Sequence, residues 1–435
     1  MKTSCIKMLT YIGLIAVLVG STSCKKNFTN PGAASEDEVF ASLGTITGVA
    51  IGLQRVYTLT RASSLYNKIT ADGFTTNQYR IINRGNTAED QLERGGGAVD
   101  GTNTILAGLW TSSNKIIYDA DKVIAAAKAQ GDKNYGSGLI GFSTIFKVLA
   151  MGDLSMYWEK VPTGIGSNIT FMPRVDGYTK AITFIDEALA AIATSPISTA
   201  FTANIPTGID IVNTLQALKA RYTLFAGDYT KALAAANAVD FTKKSTFNFD
   251  GANVNPIFDI ATSSDNVFQP IDSTLGLPVA LQPNLSDKRV SFYVGISPSQ
   301  GSRFRILGFA ASTTTAFPIY LPSEITLIKA ECLARQASPD LSGSLTLLNA
   351  VVTKVPAADP FGLGAQLPAI VGPLTQADLL LQIYRNRCIE LYMSGMKMED
   401  MRRFGRPDSE KRRNLFPYPF KERDNNTNTP PDPVF

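Results

Sequence analysis

Two segments of helical periodicity, broken only by a Gly-Asp pair, constrain this chain more than any other feature. Residues 214–226 repeat apolar side chains at helical spacing and stop at Gly227-Asp228; Tyr229-Thr230-Lys231-Ala232 then restarts the pattern to about Val239. Ala220 before the turn, and Ala232 and Ala236 after it, place small residues where two antiparallel helices must approach closely, as in a tetratricopeptide unit. In 178–192 the apolar set Tyr178, Ala181, Ile182, Ile185, Ala188, Leu189 and Ile192 also falls on one helical face. A second hairpin runs from Glu324 through Arg335, across Ser338-Pro339-Asp340, to Leu348–Val352. Further helices are expected in 38–58, 104–129, 141–151 and 376–395. The expected fold is mainly α, with tetratricopeptide-like helical hairpins packed against a loop-rich half with short β-hairpins.

The loop-rich parts are the insertions 60–103 and 241–320, full of Gly, Ser, Thr, Asn and Pro with scattered aromatics. Within them Arg289–Val294 and Phe304–Phe309 read as short β runs. Loops held on a helical scaffold are where a binding site is most easily built. The tail 405–435 is proline-rich and has no helical period, so it must wrap the surface or be disordered.

The N-terminus reads as a targeting signal. Lys2 and Lys7 precede an apolar run, Met8 to Gly20, that is too short to span a bilayer comfortably. Ser21-Thr22-Ser23 then places small residues just before Cys24, as at bacterial lipoprotein signal peptidase sites. Residues 1–23 are expected to be removed, Cys24 to carry lipid and 24–35 to form a tether. Residues 36–435 are expected to fold as one domain.

The chain has no histidine, which removes Ser-His-Asp and Cys-His hydrolases, paired-histidine zinc peptidases and most metal sites. Carboxylate chemistry such as glycoside hydrolysis survives this filter, but no paired-acid motif is evident. The expectation is therefore a binding protein and not an enzyme, with no cofactor and no metal. Lys plus Arg total 41 against 37 for Asp plus Glu, without a long basic run, so nucleic acid is not an expected partner. Beyond Cys5 and Cys24 there remain Cys332 and Cys388, both on apolar faces of expected helices; they are two buried thiols or one disulfide.

The block Ile383–Arg406 resembles the C-terminal signature of the SusD/RagB family, nutrient-binding outer-membrane lipoproteins of Bacteroidetes. The matching positions are Ile383, Arg387, Glu390, Leu391, Gly395, Lys397, Asp400, Met401, Arg403 and Gly405. Leu415-Phe416-Pro417-Tyr418-Pro419 with Glu422 and Asn425 resembles the family's closing segment. Pro322–Glu331, Leu348-Asn349, Ser286–Arg289 and Gly152-Asp153 through Val161-Pro162 resemble further landmarks in family order. Asn386 stands for the usual Glu, Met393-Ser394 for an aromatic-Glu pair and Lys397 for Arg; Lys25-Lys26 stand where surface-exported members often carry acids.

The resemblance implies a lid-like receptor on the outer membrane, anchored by lipid at the cell surface. Its partner would be a SusC-like TonB-dependent transporter, to which it delivers an oligosaccharide. A peptide ligand, as in the RagB branch, is the alternative; a carboxylate-dependent glycosidase and a structural adaptor are rivals from other classes. Sugar binding uses aromatic faces for stacking and planar polar side chains for hydroxyls. The richest such stretch is 72–84, giving Asp72, Tyr79, Arg80 and Asn83 as candidate contacts, Asp72 and Arg80 by position in the family. A loop held by an Asp72–Arg80 pair is the competing reading. Phe292 and Tyr293, with Phe304, flank the loop 295–303 and are a second candidate face. Trp110 and Tyr118 are expected on one helix face in the core, and of Tyr157 and Trp158 one in the core and one exposed. Arg402-Arg403, after Glu399 and Asp400, reads as a structural salt-bridge network.

Overall fold

The computed structural model describes residues 36–434 apart from Gln300 and Ser302. The expected signal peptide 1–23, Cys24 and the tether 24–35 lie outside the described residues. Contacts divide the chain after Thr45. Before that point the described part is one helical turn, α1 (Glu36–Val39), and the start of α2 (Leu43–Thr58), where the Ser42 hydroxyl accepts the Thr45 amide at 3.2 Å.

The unit Ile46–Phe435 is mainly helical, as the periodicity predicts. Its centre is a row of antiparallel helices, α5 (Thr104–Ala129), α6 (Lys133–Tyr157) and α7 (Arg174–Thr194). Every residue of α6 from Tyr135 to Tyr157 is buried, which makes this long apolar helix a core element. Its glycines let neighbours close in: a Cβ on Gly152 would sit 2.4 Å from the Tyr222 ring.

After the short α8 (Thr199–Ala203), the expected hairpin follows as α9 (Ile211–Phe225) and α10 (Tyr229–Asn237). At its turn Gly227 takes φ +84°, and the Asp228 and Gly227 amides donate to the Thr223 and Leu224 carbonyls, the double bond of a Schellman cap. Asp228 then caps α10 by accepting the Lys231 amide at 3.0 Å. Ala220, Ala232 and Ala236 are fully buried, as close helix approach requires. The second hairpin, α12 (Pro322–Arg335) and α13 (Leu341–Val352), buries Leu327, Ala330, Ala334, Leu348, Val351 and Val352 against Leu379 and Ile383 of α14 (Gln376–Glu390).

Four two-stranded antiparallel ladders complete the described fold. They pair β1 (Tyr79–Ile81) with β5 (Phe268–Pro270), and β2 (Lys160–Pro162) with β3 (Phe171–Pro173). The other two pair β4 (Thr246–Phe247) with β8 (Phe317–Pro318), and β6 (Val294–Ile296) with β7 (Phe304–Ile306).

Four local expectations are corrected. Residues 60–103 are not simply loop: they hold α3 (Ser64–Thr75), capped by Ser63, and α4 (Thr87–Arg94), so Asp72 lies on a helix. Lys288–Tyr293 is a short helix, α11, because Asp287 accepts the Arg289 amide and caps it; the strand begins only at Val294. Tyr118 is 43% exposed whereas Trp110 is buried, since eight residues carry a helix about 80° past two full turns. Tyr157 and Trp158 are both buried, and the tail accounts for this. Phe416 stacks on Tyr157, and the Trp158 indole N–H donates to the Pro417 carbonyl at 3.0 Å. The tail thus packs down, forms α16 (Phe420–Asn425) and runs on to Asp432, whose carboxylate accepts the Tyr418 amide at 2.8 Å. Cys332 and Cys388 are free buried thiols, each pushed up to about 12 by burial.

Candidate functional site

The strand β1 sorts the sequence-predicted ligand residues by burial. Tyr79 points inward, its ring against Phe74, Phe268 and Tyr392 at centroid distances of 5.0–6.0 Å. Asp72 is buried as well. Its carboxylate accepts the Met398 amide at 2.8 Å, the Lys397 amide at 3.3 Å and the Gln78 side-chain amide at 3.0 Å. Burial pushes its pKa up to about 6, the Met398 amide and the Lys397 charge opposing the rise. Both residues join α3 to α15 (Lys397–Arg403) and the core, and neither faces solvent. Asp72 therefore does not pair with Arg80, and Asp72, Tyr79 and Arg80 do not share a face.

Arg80 emerges on the outer side of β1, since alternate strand residues face opposite ways. Asn83 is exposed too, its side-chain Oδ1 accepting the Gly85 amide at 2.9 Å. Arg84 is held by Asp90 and Glu93. The β6–β7 hairpin supplies the second part. Tyr293 is buried and donates to the Glu390 carbonyl at 2.7 Å, while Phe292 is half-buried between Tyr293 and Phe309. Further out, Ile296 is 57% exposed and stands opposite half-buried Phe304 in the ladder. β5 pairs with β1 and lies against β7, so these outward residues share one ribbon.

Sequence reasoning passed over the polar members of this ribbon. Arg303 donates to the Asp265 carbonyl at 3.0 Å, and the Ser297 hydroxyl donates to the Asp265 carboxylate. The alternation Arg303-Phe304-Arg305 in a short strand was the signal that marked them.

The larger concavities flank α5: one of about 600 Å³ lies over α6 between α5 and α7, and one of about 330 Å³ lies between α5, the β2–β3 loop and the tail. A smaller cleft shares Asn114 with the second and Asp121 and Lys147 with the first. Their tryptophan, Trp110, is only 4% exposed, and Lys147 is tied to Asp121 at 2.5 Å. The half-buried Phe184 ring of that wall is covered by the Lys147 ammonium, which leaves little free aromatic face to stack on. Among the described residues no group of three or more Cys, Asp or Glu side chains is placed to hold a metal ion.

No family model matches the sequence, and neither does any curated protein. Solved structures do match. A SusD superfamily protein from Bacteroides vulgatus aligns with a TM-score of 0.69 at 12% identity, over 91% of this chain and 99% of its own. A SusD superfamily protein from Bacteroides fragilis aligns with a TM-score of 0.65 at 16% identity, over 90% of this chain and 99% of its own. The chain has the SusD-like fold. A laminarin-binding SusD-like protein aligns equally well, with a TM-score of 0.65 at 13% identity, over 93% of this chain and 100% of its own.

Within the SusD-like fold the signature residues of 383–406 turn out to be joints. Arg387 bonds Asp400 at 2.9 Å, and Asp400 bonds Arg403 at 2.6 Å. Arg403 reaches Glu331 of α12 at 2.5 Å. Arg402 bonds Glu399 at 2.9 Å, and Glu399 is shared with Arg174 at 2.7 Å. The Arg402-Arg403 pair is the structural network expected of it. The substituted Lys397 donates to the carbonyls of Thr76, Leu275 and Gly276, and Asn386 accepts from Arg289.

Proposed function

We propose that this chain is an outer-membrane lipoprotein of the SusD/RagB type. It binds an oligosaccharide on its loop-rich side and delivers it to a TonB-dependent SusC-like transporter, without catalysing any reaction. The observation that carries this reading is the alignment, over nearly the whole length of both chains, with a protein described as laminarin-binding. The outward residues Arg80, Asn83, Ile296 and Phe304 supply the donors and the apolar face that a sugar ring needs.

Calorimetry with laminarin and other oligosaccharides tests the reading directly. Binding is expected to weaken by up to about tenfold in Phe304→Ala, the loss of one stacking contact worth about 0.5–1.5 kcal/mol. The saccharides are expected to come through long incubation uncut. Binding to none of them, or turnover abolished by replacing one Asp or Glu, would overturn the proposal.

Anchoring has its own test, motivated by the Ser21-Thr22-Ser23-Cys24 sequence. Cys24→Ala is expected to move the protein from the membrane fraction to the soluble one. Unchanged partitioning, with no lipid mass on the mature N-terminus, contradicts lipidation at Cys24.

A further inference from the structure

The ribbon that bears the proposed glycan residues carries an excess of positive charge on the side away from Phe304, since Arg303 and Arg305 alternate with it along the chain. Arg80 leaves β1 on the outer side with no partner among the described residues. On the neighbouring hairpin stand Arg303 and Arg305, the latter with Nη1 3.8 Å from the Asp265 carboxylate. Asp265 is buried and already engaged by Ser297 and the Arg303 contact to its backbone, so it shields these guanidinium groups only in part. Two further acids stand nearby: exposed Asp259, on the helical turn Phe258–Thr262 that packs on β5 and β7, and Glu93, whose carboxylate accepts the Ile81 amide at 2.9 Å beside Arg80. Arg84, by contrast, is neutralised by Asp90 and Glu93.

The spacing suits an oligomer. Arg80 sits across from Gln269 in the β1–β5 ladder, whereas Arg303 and Arg305 meet the chain at Asp265. Four residues, bent at Asp265 where φ is +47°, separate those points, a span of at most about 13 Å. Two buried polar atoms on these strands have no protein partner, Gln269 Oε1 and Arg305 Nε. A neutral sugar needs only matched hydroxyl contacts. Guanidinium groups present parallel N–H pairs that fit a carboxylate or a sulfate ester.

We infer that the ligand is an anionic oligosaccharide, with carboxylate or sulfate groups held at one end by Arg80 and at the other by Arg303 and Arg305. This inference rests on the glycan-binding reading above and narrows it to a charge class.

The test is calorimetry on the mature chain with four probes. These are an oligogalacturonide, its fully methyl-esterified form, a sulfated carrageenan oligosaccharide and a glutamate-rich peptide. At least one of the two anionic saccharides is expected to bind tenfold or more tighter than the neutral ester, with the gap closing as salt is added. Which of the two prevails distinguishes carboxylate from sulfate. Arg80→Ala and Arg305→Gln are each expected to weaken that binding about tenfold. Arg84→Ala should leave it unchanged. Arg80 bonds no other described residue, so Arg80→Ala decides the matter if Arg305→Gln loses its wild-type melting temperature. Binding of the ester as tight as that of the anionic saccharides overturns the inference and leaves glycan binding standing. Absence of binding to every saccharide, or preference for the peptide, overturns both.

Discussion

Arg289→Met is expected to cost about 3–5 kcal/mol of folding stability, because it strands two carboxylates in the interior. Arg289 is fully buried. Its Nη2 bonds the Asp287 carboxylate at 2.7 Å and the Asn386 side-chain oxygen at 2.9 Å, and its Nη1 bonds Glu390 at 3.0 Å. Asp287 and Glu390 are buried too; Lys354, 3.5 Å from Glu390, and Arg385, whose charge acts on Asp287, are the other cations at hand. Removing the guanidinium takes away the attraction but leaves the desolvation of both acids in place. Methionine fills the volume, so a large loss reports the charge and not a cavity. Urea denaturation monitored by circular dichroism measures it, and a loss below about 1 kcal/mol would show that the acids find water or protonate without cost. The joint matters to the fold because α11, which leads into the β6–β7 hairpin, is fastened through Arg289 to α14 of the helical scaffold.

The same joint shows how far the sequence could be read. Periodicity located α5, α7, α9 and α10, since a face of apolar residues every three or four positions has no other stable use. The landmarks Ser286–Arg289 and Ile383–Arg406 were each visible as a resemblance. That Arg289 of one meets Glu390 and Asn386 of the other was not, because an ion pair about a hundred residues apart leaves no local period or spacing. The candidate site suffered more. Asp72, Tyr79 and Arg80 offered three sugar-binding groups in nine residues, but sequence proximity says nothing about which side of an element a residue takes. Asp72 falls on α3, every residue of which is buried, and β1 then sends Tyr79 inward and Arg80 outward. A three-residue strand is too short to declare its alternation. The polar residues it was grouped with in space, Arg303 and Arg305, lie more than two hundred positions away.

Asp72 yields the other large prediction, through pH. Its folded-state pKa of about 6 lies above the ordinary 3.8, because burial outweighs the Met398 and Lys397 amides and the Lys397 charge. A carboxyl raised on folding binds its proton more tightly in the native state. Its contribution to stability is therefore complete below about pH 4 and is lost as pH rises through 6. Two units of displacement correspond to about 3 kcal/mol. Asp72→Asn removes the titration while keeping the shape, at a constant penalty for turning an amide N–H₂ toward a backbone donor. The stability difference between the two proteins is thus expected to move by about 3 kcal/mol in favour of the variant between pH 4 and pH 7. Asp153, also raised by burial, titrates alike in both and cancels from the difference. Chemical denaturation of both proteins at the two pH values measures this, and a difference that stays constant would mean that the donors from Lys397, Met398 and Gln78 hold the carboxylate charged throughout. Either result bears on the site, since a residue whose loss is felt in folding and pH dependence, with Arg80→Ala binding as the contrast, belongs to the joint between α3 and α15 and not to the ligand.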